Sequence, residues 1–482
     1  MHFDGPPLDR RTLLGLLAMS SLGGCCGRLD PLTPSDDDAG SGPGDARDGD
    51  GAGGAPADPL PPFGLAPLPA TAPTVRVRIA RHDDDDTALE FGRAGETLTL
   101  ATASGGAEVR VPGPVRIDVA PRTWNWSVAD ASDRGALPRD DDDLTIASAT
   151  ELVLHSGGEW PGRIHLSSPP GDPADPADPA QTTPRTSRID VVVHADIERY
   201  VAGVIARELP LSWRPGIFAA LSVCARSFAT YEAWSRRTRR WDVESDERSQ
   251  VFGGRTLAPV ATDAVAATTG MVLTYADGIL PAYFSSACGG LGQPGSVAIG
   301  PHPVNAIPPL AGHALGLDAC CSGSPRARWT AERSSERLGN QLRAFGRRNR
   351  GSELADLGRI RAISPNRTAE TGRPVAYRID HVGGEPVVVP APSLRRALQS
   401  GRRSGESAVW SSLLDVDIDP GSGRATIQGR GWGHGCGLCQ YGGQAMARRG
   451  VDWTEILSVY YPGATIQRGW ATADAPPPST IG

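Results

Sequence analysis

Apolar and charged residues alternate with a period of two in Val75-Arg76-Val77-Arg78-Ile79, which predicts a half-buried strand. Thr97–Ala103, Val109–Val119 and Leu144–Leu154 read as further strands, so residues 73–168 are expected to form a mainly β region. Ile189–Val193 is another strand-like run. The period then changes. Ile197, Val201, Val204 and Ile205 fall at helical spacing up to Arg207, and Pro210 stops that helix. Pro215–Trp234 reads as a second helix, with Pro215 near its first turn and Ile217, Leu221, Cys224 and Phe228 on its apolar face. The expected class is α+β, a mixed domain over 188–468 behind the mainly β region.

Composition changes the picture at the ends and at one internal seam. Of 482 residues, 59 are Gly and 43 are Pro, and these gather outside the periodic segments. Residues 26–72, above all Asp30–Pro62, are Asp, Gly, Pro and Ala with few large apolar side chains. Such a stretch buries too little surface to offset the entropy of ordering and reads as a disordered tether. The Asp-Pro-Ala repeat from Asp172 to Pro179 makes residues 169–187 a linker, and residues 469–482 read as a tail. Asp83–Asp86 and Asp140–Asp143 lack the spaced ligands of a calcium loop and read as solvated turns.

Residues 1–25 form a targeting segment. Arg10 and Arg11 precede a short apolar run from Leu13 to Leu22, and Leu22-Gly23-Gly24-Cys25 is similar to a lipobox, whose cleavage would leave Cys25 lipidated. The Arg10-Arg11-Thr12-Leu13-Leu14 start also resembles a twin-arginine signal. The expected location is the cell envelope, periplasmic or cell-surface, held to a membrane by the lipid. A net charge of −7 with no lysine argues against nucleic acid as a partner.

The chemistry-bearing segments come in a fixed order. Glu198-Arg199-Tyr200-Val201-Ala202-Gly203-Val204-Ile205-Ala206-Arg207-Glu208-Leu209-Pro210 is followed by Trp213-Arg214-Pro215, Val223-Cys224-Ala225-Arg226-Ser227-Phe228 and Ser249-Gln250-Val251-Phe252-Gly253-Gly254. Pro281 to Gly290, Gly429 to Gly442 and Tyr460-Tyr461-Pro462-Gly463 close the series. Together these blocks resemble the SpoIID/LytB family over about residues 188–468. The resemblance implies a peptidoglycan lytic transglycosylase, which cuts between N-acetylmuramic acid and N-acetylglucosamine. The muramoyl C6 hydroxyl attacks its own anomeric carbon and leaves a 1,6-anhydro end. Ordinary glycosidases use two carboxyl groups; an internal hydroxyl replaces the outside nucleophile, so one carboxyl group can serve as acid and then as base. Glu208 stands at the family's catalytic position, at a helix end where burial favours the protonated form. Read from spacing alone, Glu208 is more readily a helix-terminal salt-bridge partner of Arg207 or Arg226, and it is the resemblance that favours the catalytic role. The family also contains amidase enhancers, so the alternative is a protein that grips glycan strands and stimulates a cell-wall amidase without cutting, or an envelope scaffold.

Glycine at 429, 431, 433, 435 and 437 would leave one face of a strand bare, so something must approach that backbone closely. A glycan strand is one occupant, with Trp432 as a stacking surface and His434 as a donor; packing against a neighbouring strand is the other. Arg226, Gln250, Gln440 and Tyr441 complete the expected substrate-binding set. Once Cys25 and Cys26 are set aside, Cys224, Cys288, Cys320, Cys321, Cys436 and Cys439 remain, an even set that in an exported protein favours disulfides, with Cys288 joined to Cys320 or Cys321. Cys224, on an apolar helical face, reads as a buried free thiol. Cys436 and Cys439 have Cys-x-x-Cys spacing and with Cys288 offer a possible zinc set. Some family members bind zinc near this region through a His and two Cys, and Ser285 stands where that His is often found.

Overall fold

The computed structural model describes residues 62–470, apart from 83–88, 104, 121, 130–131, 140–142, 168–188 and 350–351. The targeting segment with Cys25, most of the tether, the Asp-Pro repeat and most of the tail lie outside the described residues, as do the Asp83–Asp86 run and most of Asp140–Asp143. Among the described residues, no helix is long and apolar enough to cross a membrane.

The class is mixed α+β with a strand-rich amino-terminal part. The Thr74–His82 strand forms as its alternation predicts, with Val75 and Val77 fully buried. It does not close a separate domain. It pairs antiparallel with Ile189–Asp196 on one side and parallel with Val243–Glu244 on the other, within a seven-stranded sheet. That sheet continues through Arg163–Ser167, Leu144–Ser148, Thr97–Thr102 and Glu108–Pro112. A six-stranded sheet lies beside it, and the inner faces of both feed one hydrophobic core shared with the helices. Arg78, turned into this sheet, is compensated by Glu244 at 2.5 Å and Asp190 at 3.0 Å, and its guanidinium lies over the Trp241 ring.

Two expected strands are each broken in two. Val109–Val119 divides into Glu108–Pro112 and Val115–Val119 around Gly113-Pro114, because proline supplies no ladder donor. Leu144–Leu154 divides at Glu151, whose φ of 54° is a turn conformation. The strands Leu89–Phe91, Thr123–Val128 and Arg134–Pro138 complete the six-stranded sheet; the first and last are too short or irregular to show a period, whereas Thr123–Val128 alternates polar and apolar residues throughout.

The first helix, α1, runs Ile197–Glu208. The Asp196 carboxylate caps it by accepting from the Glu198 and Arg199 amides, and the helix ends just before Pro210. The second, α2, runs Pro215–Ser235. It is buried almost all round, from Ile217 to Glu232, rather than on one face, which makes it the central element of the core. Two of its interior hydroxyls have partners: Ser222 pairs with Thr268 at 2.6 Å, and Ser227 accepts the Leu273 amide at 2.8 Å.

A second hydrophobic core, from Trp329 to Ile427, lies within the 188–468 span. It is built on a six-stranded antiparallel sheet ordered Arg328–Ser334, Arg424–Arg430, Leu414–Ile418, Ile360–Thr368, Pro374–His381 and Val387–Pro390, with helices Ser335–Arg348 and Ala391–Gln399. The buried Arg373 ties this unit to the first core, donating to the Cys288 and Leu291 carbonyls at 2.7 Å each.

His165 and His194 stack at 3.7 Å on neighbouring strands of the large sheet. Burial, reinforced by nearby positive charge, pushes His165 down to about 4 and His194 down to about 3. Both rings are therefore neutral in the fold at neutral pH, whereas the unfolded chain protonates its histidines near pH ~6.5. The unfolded state binds more protons below that point, so stability is lost as pH falls from about 6.5 towards 3. We expect His194→Gln to lose less stability than the parent over that window, read from urea midpoints at a series of pH values.

Candidate functional site

Glu208 closes α1 and is 6% exposed. Two elements remote in sequence hold its carboxylate. The Val251 amide donates to Oε1 at 3.1 Å, and the Gln440 side-chain amide donates to Oε2 at 3.0 Å. Gln440 is the first residue of the helix Gln440–Arg448, so its side chain leaves a rigid terminus. The 249–254 loop reaches Glu208 because α1 offers it a glycine. At Gly203 an added Cβ would overlap the Gly254 carbonyl and the Phe252 ring, and Phe252 also packs on Tyr200 at 4.9 Å. The Tyr200 hydroxyl donates to Gln250 Oε1 at 3.0 Å, which fixes the residue next to Val251. Gln250 is buried, and its Nε2 has no partner.

Beside Gln440, Tyr441 meets Trp213 edge-on at 4.9 Å, both rings partly exposed. Arg214, next to Trp213, donates its amide to Gln444 at 3.0 Å and locks the 209–214 turn to the same helix. The structure therefore gathers Glu208, Gln250, Gln440 and Tyr441 at one place, as the sequence resemblance implies, and adds Val251 and Trp213. Val251 acts through its backbone, which no side-chain pattern signals. Trp213 was visible only as part of the Trp-Arg-Pro block.

Three expected site residues are placed elsewhere. Arg226 is fully buried on α2, paired with Glu198 at 2.6 Å and donating to the Met271 carbonyl at 2.9 Å. It fastens α1 to α2 and has no surface to offer a sugar. Trp432 is packed edge-on against Trp410 at 5.4 Å, and its backbone exchanges two hydrogen bonds with Ala287, at 2.9 and 2.7 Å. His434 accepts the Cys436 amide on Nδ1 at 3.0 Å. Burial pushes it down to about 4, against a hydrogen bond to the Phe284 backbone that works the other way. A ring with these backbone partners, neutral well below pH 7, serves the loop's conformation.

The glycine run is not a bare strand. The strand Arg424–Arg430 ends at its start, and Gly431, Gly433, Gly435 and Gly437 all have positive φ. What approaches them is the protein itself. An added Cβ would meet the Trp329 ring at Gly429, the Ala287 carbonyl at Gly431, the Arg373 guanidinium at Gly435 and the Tyr283 carbonyl at Gly437. The run is the crossing point of the two cores, and it feeds directly into Leu438-Cys439, which pairs parallel with Phe284-Ser285.

Cys288, Cys320, Cys321 and Cys439 are buried and bring their sulfurs within 4.8 Å of one another. Cys436 lies outside this group and is replaced in it by Cys320 and Cys321. Cys224, which hydrogen-bonds the Tyr461 side chain, and Cys436 lie apart from this group, and each thiol is pushed up to about 12 by burial.

Comparison with known proteins fits this layout. The family model of the stage II sporulation protein SpoIID matches residues 185–275, which contain α1, α2 and the 249–254 loop. A domain of unknown function (DUF8618) matches residues 318–437, the region of the second core. An uncharacterized protein of Brachyspira hyodysenteriae is 27% identical over 285 residues, 59% of this chain and 70% of that protein. The amidase enhancer of Bacillus subtilis is 26% identical over 303 residues, 55% of this chain and 40% of the enhancer. Stage II sporulation protein D of Bacillus amyloliquefaciens is 27% identical over 294 residues, 57% and 75% respectively.

The crossing point gives a direct test. Gly372 has a φ of 81° and open space around it, so Gly372→Ala should cost only the strain of a left-handed alanine, about 1–2 kcal/mol. Gly437→Ala adds a clash with the Tyr283 carbonyl at a similar φ of 67° and should cost about 2 kcal/mol more. Urea unfolding of the two variants measures the difference.

Proposed function

Because the chain is a member of the SpoIID/LytB family through residues 185–275 and has a role at the cell wall, we propose that it is a peptidoglycan lytic transglycosylase with Glu208 as its acid–base residue. The observation that carries this reading is the double hold on the Glu208 carboxyl group by the Val251 amide and Gln440.

In the proposed reaction, protonated Glu208 gives its proton to the oxygen between N-acetylmuramic acid and N-acetylglucosamine. The C1–O bond breaks, and N-acetylglucosamine leaves as the alcohol. The carboxylate then takes the proton of the muramoyl C6 hydroxyl as that oxygen bonds to C1, giving the 1,6-anhydro ring and regenerating the acid. No water is consumed. Val251 and Gln440 keep the carboxylate in one orientation through both steps, which avoids reorganisation between them. Tyr441 and Trp213 offer partly exposed aromatic surface beside the carboxyl group, suited to the apolar face of a sugar.

The proposal places the protein in the envelope, anchored through lipidated Cys25, with glycan strands as substrate and a cell-wall amidase as a possible partner. The amidase enhancer relative supports the second reading, in which the same groove holds glycan for a partner enzyme. Product analysis separates the two. Purified protein incubated with glycan strands should yield anhydromuramoyl ends by mass spectrometry, and Glu208→Gln should reduce their rate by at least about 10²-fold. Gln440→Ala should lower the rate less, since it disturbs orientation and leaves the acid in place. Absence of anhydromuramoyl ends, with stimulation of an amidase that Glu208→Gln does not alter, would leave the enhancer reading standing instead.

A further inference from the structure

We propose that the cleft between the strand Arg328–Ser334, the 401–407 loop and the hairpin before Arg424 is a binding site for a phosphate group carried by an anionic ligand. The site lies in the second unit, within residues 318–437, and the inference is independent of the transglycosylase reading.

The cleft encloses about 520 Å³ and is lined by four arginines, Arg333, Arg337, Arg403 and Arg424, against two carboxylates, Glu332 and Glu406. Four minus two leaves its lining with a net charge of +2, on a chain whose net charge is −7. A concave wall focuses such a surplus, because it keeps out part of the water that screens an open surface.

The four arginines are not equally engaged. Arg337 grips Glu406 with its fork, at 2.8 and 3.1 Å. That hydrogen-bonded pairing holds the Glu406 carboxyl down at about 2, so these two charges offset each other at any ordinary pH. Arg333 differs. Its side chain is 1% exposed, and its hydrogen bonds go to neutral groups: Gln341 Oε1 at 3.3 Å, the Glu332 carbonyl at 2.8 Å and the Ser407 carbonyl at 2.6 Å. The Glu406 carboxylate stands 4.0 Å from it and is already engaged by Arg337. Arg403 has only its backbone amide in use, donating to Glu406 at 2.8 Å, and its guanidinium has no partner among the described residues. Arg424 pairs with Glu332, but the two side chains are 58% and 52% exposed, and an ion pair so open to water yields readily to a better acceptor.

The surroundings are set in advance of any ligand. Arg337 donates to the Gly401 carbonyl at 2.5 Å and Arg402 to the Glu406 carbonyl at 2.7 Å, which with the Arg333–Ser407 bond pins the loop that carries Arg403. Asp419, in the neighbouring hairpin, closes its own turn by accepting from the Gly421 amide at 2.8 Å and the Ser422 hydroxyl at 2.6 Å. A cleft already ordered lowers the entropy cost of binding.

Phosphate fits better than carboxylate. Arg333, Arg403 and Arg424 come from three separate segments. A carboxylate offers two oxygens and a single charge. A phosphate monoester offers three strong acceptor oxygens and a charge of about −2 at neutral pH, which matches both the three donors and the surplus charge. The same group is offered by a phosphodiester wall polymer, in which two adjacent units carry that charge, and by a small phosphorylated molecule.

The test uses the full chain carrying Glu208→Gln, so that binding is read without turnover and its outcome is separate from that of the transglycosylase reading. Calorimetric titration at low ionic strength is run with inorganic phosphate and with an oligomer of glycerol phosphate. Both should bind, and the tighter of the two identifies a small or a polymeric source. Arg403→Glu changes a side chain that holds nothing in the fold and should weaken binding by more than about tenfold. Glu332→Gln removes an acid and releases Arg424, so it should tighten binding several-fold, a response that damage to the fold does not produce. The proposal is overturned if neither probe binds more tightly than chloride at equal ionic strength, or if Arg403→Glu binds as tightly as the parent.

Discussion

The structure depends on how a single carboxyl group is held. Glu208 comes from the end of α1, Val251 from a loop 43 residues on, and Gln440 from a helix 232 residues on, and all three meet within hydrogen-bond distance. A buried carboxylate is costly unless donors reach it, so each of these elements must be placed accurately for the others to be tolerable. Gly203 admits the loop, Asp196 starts the helix in register with the sheet, and the turn around Trp213 is clamped through Arg214 to Gln444. The local motif around Glu208 thus makes sense as one end of a three-part hold.

The third part of that hold arrives through the second unit. From Trp329 to Ile427 the chain builds its own core and then returns to the first through the glycine run. The return is tight enough that backbone carbonyls and the Trp329 and Arg373 side chains occupy the space where side chains at 429, 431, 435 and 437 would sit. The buried cysteines Cys288, Cys320, Cys321 and Cys439 gather at the same junction, where Cys439 hands the chain on to Gln440. Packing at the junction of the two cores and the hold on the Glu208 carboxyl group are in this way coupled through consecutive residues.

Much of this was legible in the chain. The alternation at Val75–Ile79, the helical period from Ile197 and the stop at Pro210 foretold real elements, because those signals are local. Gathering of Glu208, Gln250, Gln440 and Tyr441 was legible through family resemblance and not through periodicity. What could not be read were relations between distant segments. The alternating glycines correctly announced a close approach, yet nothing local says that Trp329 and Tyr283 make it. Arg226 has the residue type of a sugar-groove cation, but its burial beside Glu198 is decided by the packing of α1 on α2. Likewise Cys-x-x-Cys spacing pointed to Cys436, whereas the fold brings in the adjacent pair Cys320 and Cys321, far earlier in the chain than Cys439.

The central claim is that the sugar's own alcohol, and not water, completes the reaction at Glu208. Cleavage carried out in water enriched in heavy oxygen tests it most directly. The account predicts muramoyl ends that carry no heavy oxygen, with each cut product lighter than a hydrolysed one by the mass of a water molecule. Reducing muramoyl ends bearing heavy oxygen would contradict it.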